Sequence, residues 1–169
     1  KHKRKEKETC KYSCQYYWKK SNHFIYRLYH IQLSSLDNNI VIDDENYNSD
    51  RWVFSIHMKN KYCNCPNCDN KTRSIHSFHY RKIQDLPIQN KTVYLNIRMR
   101  HMICRNCKTI FTESLSFAEN KSHMTSRLKN HIMITSTPNS SLIAEKQLKM
   151  EGIKVKKSTI CTLLKKRRT

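Results

Sequence analysis

The sequence predicts an α+β protein, a small antiparallel module clipped by cysteines followed by a domain of three helices. Three observations predict it. Two Cys-x-x-Cys pairs, Cys65/Cys68 and Cys104/Cys107, are separated by residues 69–103. Between them, apolar residues recur at every second position. After residue 122 the apolar period lengthens to that of a helix.

A Cys-x-x-Cys turn holds two thiolates on one side of a tight knuckle, and two knuckles complete a tetrahedral four-sulfur site suited to zinc. Lys and Arg around Cys65, Cys68, Cys104 and Cys107 favour thiolate over thiol. Four cysteine ligands leave no open coordination position, so one structural Zn2+ is expected. A module of about 50 residues buries too little surface to be robust alone, and a metal clip adds folding energy directly. The competing reading is a set of separate buried or redox cysteines. Cys63 could replace Cys65 only with an altered loop; Pro66 inside the knuckle favours Cys65 and leaves Cys63 a spare thiol.

The elements follow in order. Residues 1–51 form a leader, with a basic arm (KHKRKEKETCK), an aromatic region and an acidic stretch at 33–50. Cys10, Cys14 and Trp18 share one helical face, a packing surface by preference and, with His2 or His23, a second metal site as the alternative. The acids at 43–45 are expected in a charged loop. Residues 52–116 form the cysteine module. WVFSIHM, 52–58, is a half-buried strand, and TRSIHSFHYRK suggests another over 73–81. DLPIQNK, 85–91, has the chemistry of a turn, with Pro87 and Asn90. TVYLNIRMRHMI is the clearest strand. Val93, Leu95, Ile97, Met99, His101 and Ile103 share one face; Tyr94, Asn96, Arg98, Arg100 and Met102 share the other. That second face suits phosphate contact or a solvated basic surface equally. TIFT, 109–112, closes the sheet.

Residues 122–168 carry the helices. SHMTSRLKNHIMI starts at a Ser122 or Thr125 cap, with Met124, Leu128 and Ile132 on one face. SSLIAEKQLKMEG follows, with Ile143, Ala144, Leu148 and Met150 inward and Gly152 at the left-handed end. STICTLLKKRR, capped by Ser158, turns Ile160, Leu163 and Leu164 inward, and Cys161 reads as a core residue. This order suggests a helix-turn-helix whose last helix enters the major groove of duplex DNA. Its DNA-binding candidates are Lys156, Lys157, Ser158, Thr159, Thr162, Lys165 and Lys166, joined by Arg98 and Arg100 on the sheet. An ordinary helical bundle with a basic tail is the bland alternative.

Charge points the same way. The chain has 169 residues, with 33 Lys and Arg against 13 Asp and Glu, a formal charge of +20. The excess lies almost wholly after residue 50, which assigns the polyanion partner to that part. No apolar run approaches the roughly 20 residues that span a bilayer, and no secretory signal opens the chain. Eight cysteines in this arrangement suit a reduced, cytoplasmic protein rather than a disulfide framework. A single glycine among 15 asparagines suggests that Asn fills turn positions where Gly is usual.

CPNC at 65–68, the segment HSFHYRKIQDLPIQNKTVYLNIRMRHMICRNC and IFTE at 110–113 resemble the N-terminal zinc-binding domain of the ISL-type DDE transposases of bacterial insertion sequences. The segment from about Ser122 to Arg168 resembles the helix-turn-helix that follows. The resemblance implies Cys65, Cys68, Cys104 and Cys107 as zinc ligands in a zinc-ribbon-like module. It makes Asp85-Leu86-Pro87 the bend of the family's motif. Asp69 departs from the family's usual glycine, and Gln84 from a common arginine. The implied function is recognition of transposon inverted-repeat ends in the bacterial nucleoid, with self-association or pairing with a full-length transposase. Such transposases cut and join strands with an acidic triad on an RNase H-like domain. Only Glu119, Glu145 and Glu151 are acidic after residue 113, so no catalytic residue and no enzyme activity are expected of what reads as a truncated transposase. An RNA-binding or ribosome-associated zinc protein, with Tyr80 and Tyr94 stacking on bases, is the alternative.

Overall fold

The computed structural model describes residues 33–48 and 50–166. The chain divides into two compact units, Lys1–Asn38 and Asn39–Thr169. In the first, a helical turn joins the Leu36 N–H to the Leu33 carbonyl at 3.0 Å. Cys10, Cys14 and Trp18 lie outside the described residues.

The second unit is built on a five-stranded sheet. β1 (Ile40–Asn48) and β2 (Arg51–Met58) form a hairpin; β5 (Ile75–Ile88) and β6 (Lys91–Ile103) form a longer one. The main order is β1-β2-β6-β5, and β7 (Ile110–Thr112) pairs with the end of β6. β3 (Cys63–Asn64) and β4 (Lys71–Thr72) form a separate two-stranded ribbon. The sheet is mixed rather than antiparallel throughout, because β2 joins β6 in parallel, Arg51 opposite Thr92 through His57 opposite Arg98. The intervening chain must therefore cross over before β6. The acids at 43–45 are on β1, not in a loop, and are exposed there.

Alternation holds along β6 from Val93 to Met99, all four odd residues being buried. It then changes: Met102 is fully buried on the opposite face, while His101 and Ile103 are half-buried. The alternation pattern cannot foresee this, because Met102 lies opposite Phe111 on β7 and is covered there. β5 also runs further than expected. Asp85–Ile88 stays in the strand, with one extra residue accommodated between the Asp85–Val93 and Ile88–Lys91 pairs. Such a bulge tolerates Pro87, which has no N–H to give, and β5 is an edge strand. The actual turn is the two residues Gln89 (φ 49°) and Asn90 (φ 60°), the left-handed pair that matches a twisted hairpin.

Asn thus fills one left-handed position; the other non-glycine residues in that conformation are Asp69, Gln89, Lys108 and Lys121. Among the described residues, the expectation for Asn holds only at Asn90.

Three helices complete the unit: α1 (Ser126–Ser136), α2 (Ser141–Met150) and α3 (Lys157–Lys166). Thr125 caps α1 and Ser140 caps α2, each accepting the N–H three residues on. Ser158 does not cap α3. The helix begins at Lys157, and the Lys156 carbonyl accepts the N–H groups of Thr159 and Ile160. Leu128, Ile132, Ala144, Leu148, Ile153 and Ile160 form the helical core, with Leu163 and Leu164 packed against it. Ile143 and Met150, expected inward, are 57 % and 81 % exposed. Ala144 and Leu148 set the inward stripe of α2, leaving those two on the other side.

The helices are bracketed to the sheet. The Gln84 backbone donates to His123 at 2.8 Å and accepts from Thr125 at 3.0 Å. With its amide oriented to satisfy both groups, the Gln84 side chain bonds the Lys154 N–H and carbonyl at 3.0 and 3.1 Å. Leu86 enters the helical core. Beside it, the fully buried Asp85 accepts from Thr125 Oγ1 at 2.7 Å and Arg127 Nε at 2.9 Å, with a second Arg127 nitrogen on its other oxygen. The DLP segment thus docks the first helix through a buried ion pair.

Candidate metal centre

The sequence builds the same knuckle twice. In the first, Cys65 donates its N–H to the Asn70 carbonyl at 3.0 Å and accepts from Asp69 at 2.8 Å. In the second, Cys104 donates to the Thr109 carbonyl at 2.9 Å and accepts from Lys108 at 3.0 Å. Both knuckles end in a left-handed residue, Asp69 (φ 55°) and Lys108 (φ 59°), placed identically after the second cysteine. Asn64 Nδ2 steadies Asp69 by a bond of 3.2 Å to its carboxylate. The ribbon β3–β4 is tied to the sheet by Thr72 Oγ1, which donates to the Ile103 carbonyl at 2.8 Å.

The knuckles face each other at the end of the β5–β6 hairpin. The four sulfurs of Cys65, Cys68, Cys104 and Cys107 all lie within 4.8 Å of one another. Cys65–Cys107, Cys68–Cys107 and Cys68–Cys104 are 3.5, 3.5 and 3.6 Å apart. A disulfide would need about 2.05 Å. A tetrahedral zinc with Zn–S of about 2.3 Å places its sulfurs about 3.8 Å apart, so the set fits that ion. Cys65 and Cys104 are buried, and their partners half-buried.

The protein acts on these thiols unequally. Burial pushes Cys65 up to about 11, against N–H groups of Asn67 and Cys68 that favour its thiolate. The hydroxyl of Thr109, 3.2 Å away, and then its backbone N–H, bring Cys107 down to about 5. Thr109 therefore favours the thiolate at Cys107, while burial favours the thiol at Cys65. Bound zinc supplies the charge that keeps all four deprotonated. Thr109, two positions after the last ligand, was not among the expected site residues.

Cys63 stays outside the four-sulfur cluster. Its thiol lies 3.9 Å from Arg100 Nη2, and burial raises its pKa. Arg100 is itself committed. Glu113, 4 % exposed, takes its backbone N–H at 2.8 Å, Nε at 2.9 Å and Nη2 at 2.5 Å. The FTE exit segment thus returns its glutamate to β6, and a residue expected to meet phosphate has a structural partner instead. Arg98 lies on the open face, its guanidinium 5.6 Å from the Phe78 ring centre.

On α3, Ser158, Thr162, Lys165 and Lys166 are exposed, as are Lys156 and Lys157 before and at its start; Thr159 is half-buried. Ser158, Thr162 and Lys165 form one stripe opposite Ile160, Leu163 and Leu164. The Thr162 hydroxyl donates to the Ser158 carbonyl at 2.9 Å. The metal centre and this stripe are separate places on the unit. Of the five acids after residue 84, three serve as ion-pair partners, Asp85 with Arg127, Glu113 with Arg100 and Glu119 with Lys129, and a fourth, Glu151, lies 2.7 Å from His131 Nε2. Among the described residues, no helix is long and apolar enough to cross a membrane.

No curated protein and no solved structure matches the chain. Residues 61–107 do match a family model, described as the zinc-finger of transposase IS204/IS1001/IS1096/IS1165. The segment that gathers the four thiols is thus similar to the zinc-binding module of those transposases, a likeness that supports zinc binding and a link to nucleic acid.

Proposed function

We propose that this protein is a zinc-stabilised, sequence-specific DNA-binding protein that recognises the terminal inverted repeats of a mobile element, as the end-binding part of a transposase would. The similarity of residues 61–107 to a transposase zinc finger, together with the four-sulfur cluster in that segment, carries the reading. On it, one zinc ion held by Cys65, Cys68, Cys104 and Cys107 clips the sheet, and the three helices act as a helix-turn-helix. The α1–α2 connector is residues 137–140 and the α2–α3 connector residues 151–156.

In this reading α3 is the recognition helix. Ser158, Thr159 and Thr162 meet base edges, while Lys156, Lys157, Lys165 and Lys166 meet the flanking phosphates. Lysines placed on phosphate release counterions, so affinity falls as salt rises. The bacterial nucleoid is the corresponding location.

Selection from a randomised duplex pool at fixed salt tests this. An enriched sequence should bind at least about 100-fold tighter than its scrambled form, and Thr162→Ala should relax that preference. Lys165→Gln should weaken both duplexes alike and lower the salt slope. Equal affinity for enriched and scrambled duplexes would remove the recognition claim.

A further inference from the structure

The face of the sheet opposite the buried odd-numbered residues of β6 is open, and its composition is unusual for a solvated surface. Phe78 and Tyr80, alternate residues on β5, are 53 % and 67 % exposed. Tyr80 lies across from Arg98 on β6, and Lys82 across from Asn96. Lys82 stands 4.4 Å from the ring centre of Tyr94, while Arg98 stands against Phe78. Neither Lys82 nor Arg98 belongs to an ion pair among the described residues. Of the carboxylates on this side, Glu113 is bound to Arg100 and Asp43 is 2.8 Å from His57, while the exposed Asp44 stands across from Ser55 at the β1 edge, two strands away from Arg98 and three from Lys82. Tyr62, 56 % exposed, lines a cleft of about 1220 Å³ together with Tyr80 and Lys82.

We propose that this face is a second binding surface, for single-stranded nucleic acid. The argument is one of chemistry and spacing. Alternate residues on a strand are about 6.8 Å apart, which lets Phe78 and Tyr80 meet successive unstacked bases. Rings accept any base on its flat side, and cations beside the rings take the phosphates between them. A duplex hides the flat sides of its bases, so this surface favours single strands over duplexes. It is independent of the α3 stripe, and the two sets of residues do not overlap. Exposed rings alone would suit an apolar partner; the two unpaired cations interleaved with them are what select a polyanion.

The test measures binding of the zinc-loaded full chain to fluorescent dT12 and rU12 at one fixed salt concentration, with a mixed-sequence duplex alongside. Tyr80→Ala and Phe78→Ala should each weaken single-strand binding about 10-fold, with duplex affinity and zinc content unchanged. Tyr80→Phe, which keeps the ring, should bind as the parent does. The larger loss, on dT12 or on rU12, identifies DNA or RNA as the occupant. Lys165→Gln should weaken the duplex and leave dT12 and rU12 untouched, which separates this surface from the one proposed on α3. Unchanged single-strand binding in both alanine variants would overturn the inference. So would an equal loss on the duplex, or a loss in Tyr80→Phe as large as in Tyr80→Ala.

Discussion

The backbone of Gly152 lies directly against the carbonyl of Asn90: a Cβ at residue 152 would sit 2.2 Å from that oxygen. This is the one glycine in the chain, and it holds φ +85° where α2 ends. Its own carbonyl accepts from Thr92 Oγ1 at 2.8 Å. Helix end and hairpin turn therefore dock backbone to backbone. Gly152→Ala combines left-handed strain with an overlap that only a backbone shift can relieve. The expected loss is about 2–5 kcal/mol, read from the midpoint of denaturant unfolding. A loss below about 1 kcal/mol would mean that the contact yields easily.

The Asp85–Arg127 pair should behave as a buried charge network. Removing one partner leaves the other uncompensated, so Arg127→Leu should cost about 3–5 kcal/mol. The double variant Asp85→Leu/Arg127→Leu should recover part of that loss, because no isolated charge remains. A thermodynamic cycle over the two single variants and the double variant measures the coupling. Additive losses would show that the pair does not act as a unit.

Lys108 and Asp69 close the two knuckles in the same left-handed conformation, but they do not tolerate it equally. Asp reaches that region more readily than Lys, and here Asn64 supports it. Lys108→Gly should therefore raise the stability of the zinc-loaded module by about 1 kcal/mol. Asp69→Gly should gain less, since it also gives up the Asn64 bond. Thermal melts of the two loaded variants rank them.

Zinc retention should fall with acid, in a direction set by the thiols. Cys107, lowered to about 5 in the folded knuckle, contributes stability that is full above its ordinary value near 9.0 and is lost as pH falls toward 5. Cys65, raised to about 11, is protonated at neutral pH and must give up its proton when metal enters. Thr109→Val removes the hydroxyl beside Cys107, so its pKa should rise and the midpoint of zinc release should move to higher pH. A chromophoric chelator follows that midpoint. Cys68→Ser and Cys107→Ser should each lose the metal and the ordered module together.

Much of the metal site was legible in sequence because ligand spacing is local. A Cys-x-x-Cys pair forms a knuckle from its own backbone bonds, and two such pairs need only be brought together. The strand β6 and the cap at Thr125, one of two candidates beside Ser122, were legible for the same reason: alternation and capping act over a few residues. The β-bulge at Asp85–Ile88 was not, because a DLP segment reads as a turn until the paired strand fixes its register. Nor was the inward face of α2, where Ile143 and Met150 satisfy a helical period but lie on its exposed side. Arg100 shows the limit most clearly. Alternation placed it with Arg98 on a basic face, yet Glu113, thirteen positions later, returns along β7 to occupy its guanidinium.

By itself the sequence determined a four-cysteine module followed by three helices, and a chain whose positive charge is concentrated after residue 50. Those are properties of spacing, period and composition, and they survive without knowing what meets what. The tertiary structure decided which cations remain available and which rings stand open. It joined β2 to β6 in parallel, committed Arg100 and Arg127 to carboxylates, and left Lys82, Arg98, Phe78 and Tyr80 together on an uncovered face. The physical reason is that a charge is neutralised, and a ring covered, only by groups that pairing and packing bring across long separations in the chain.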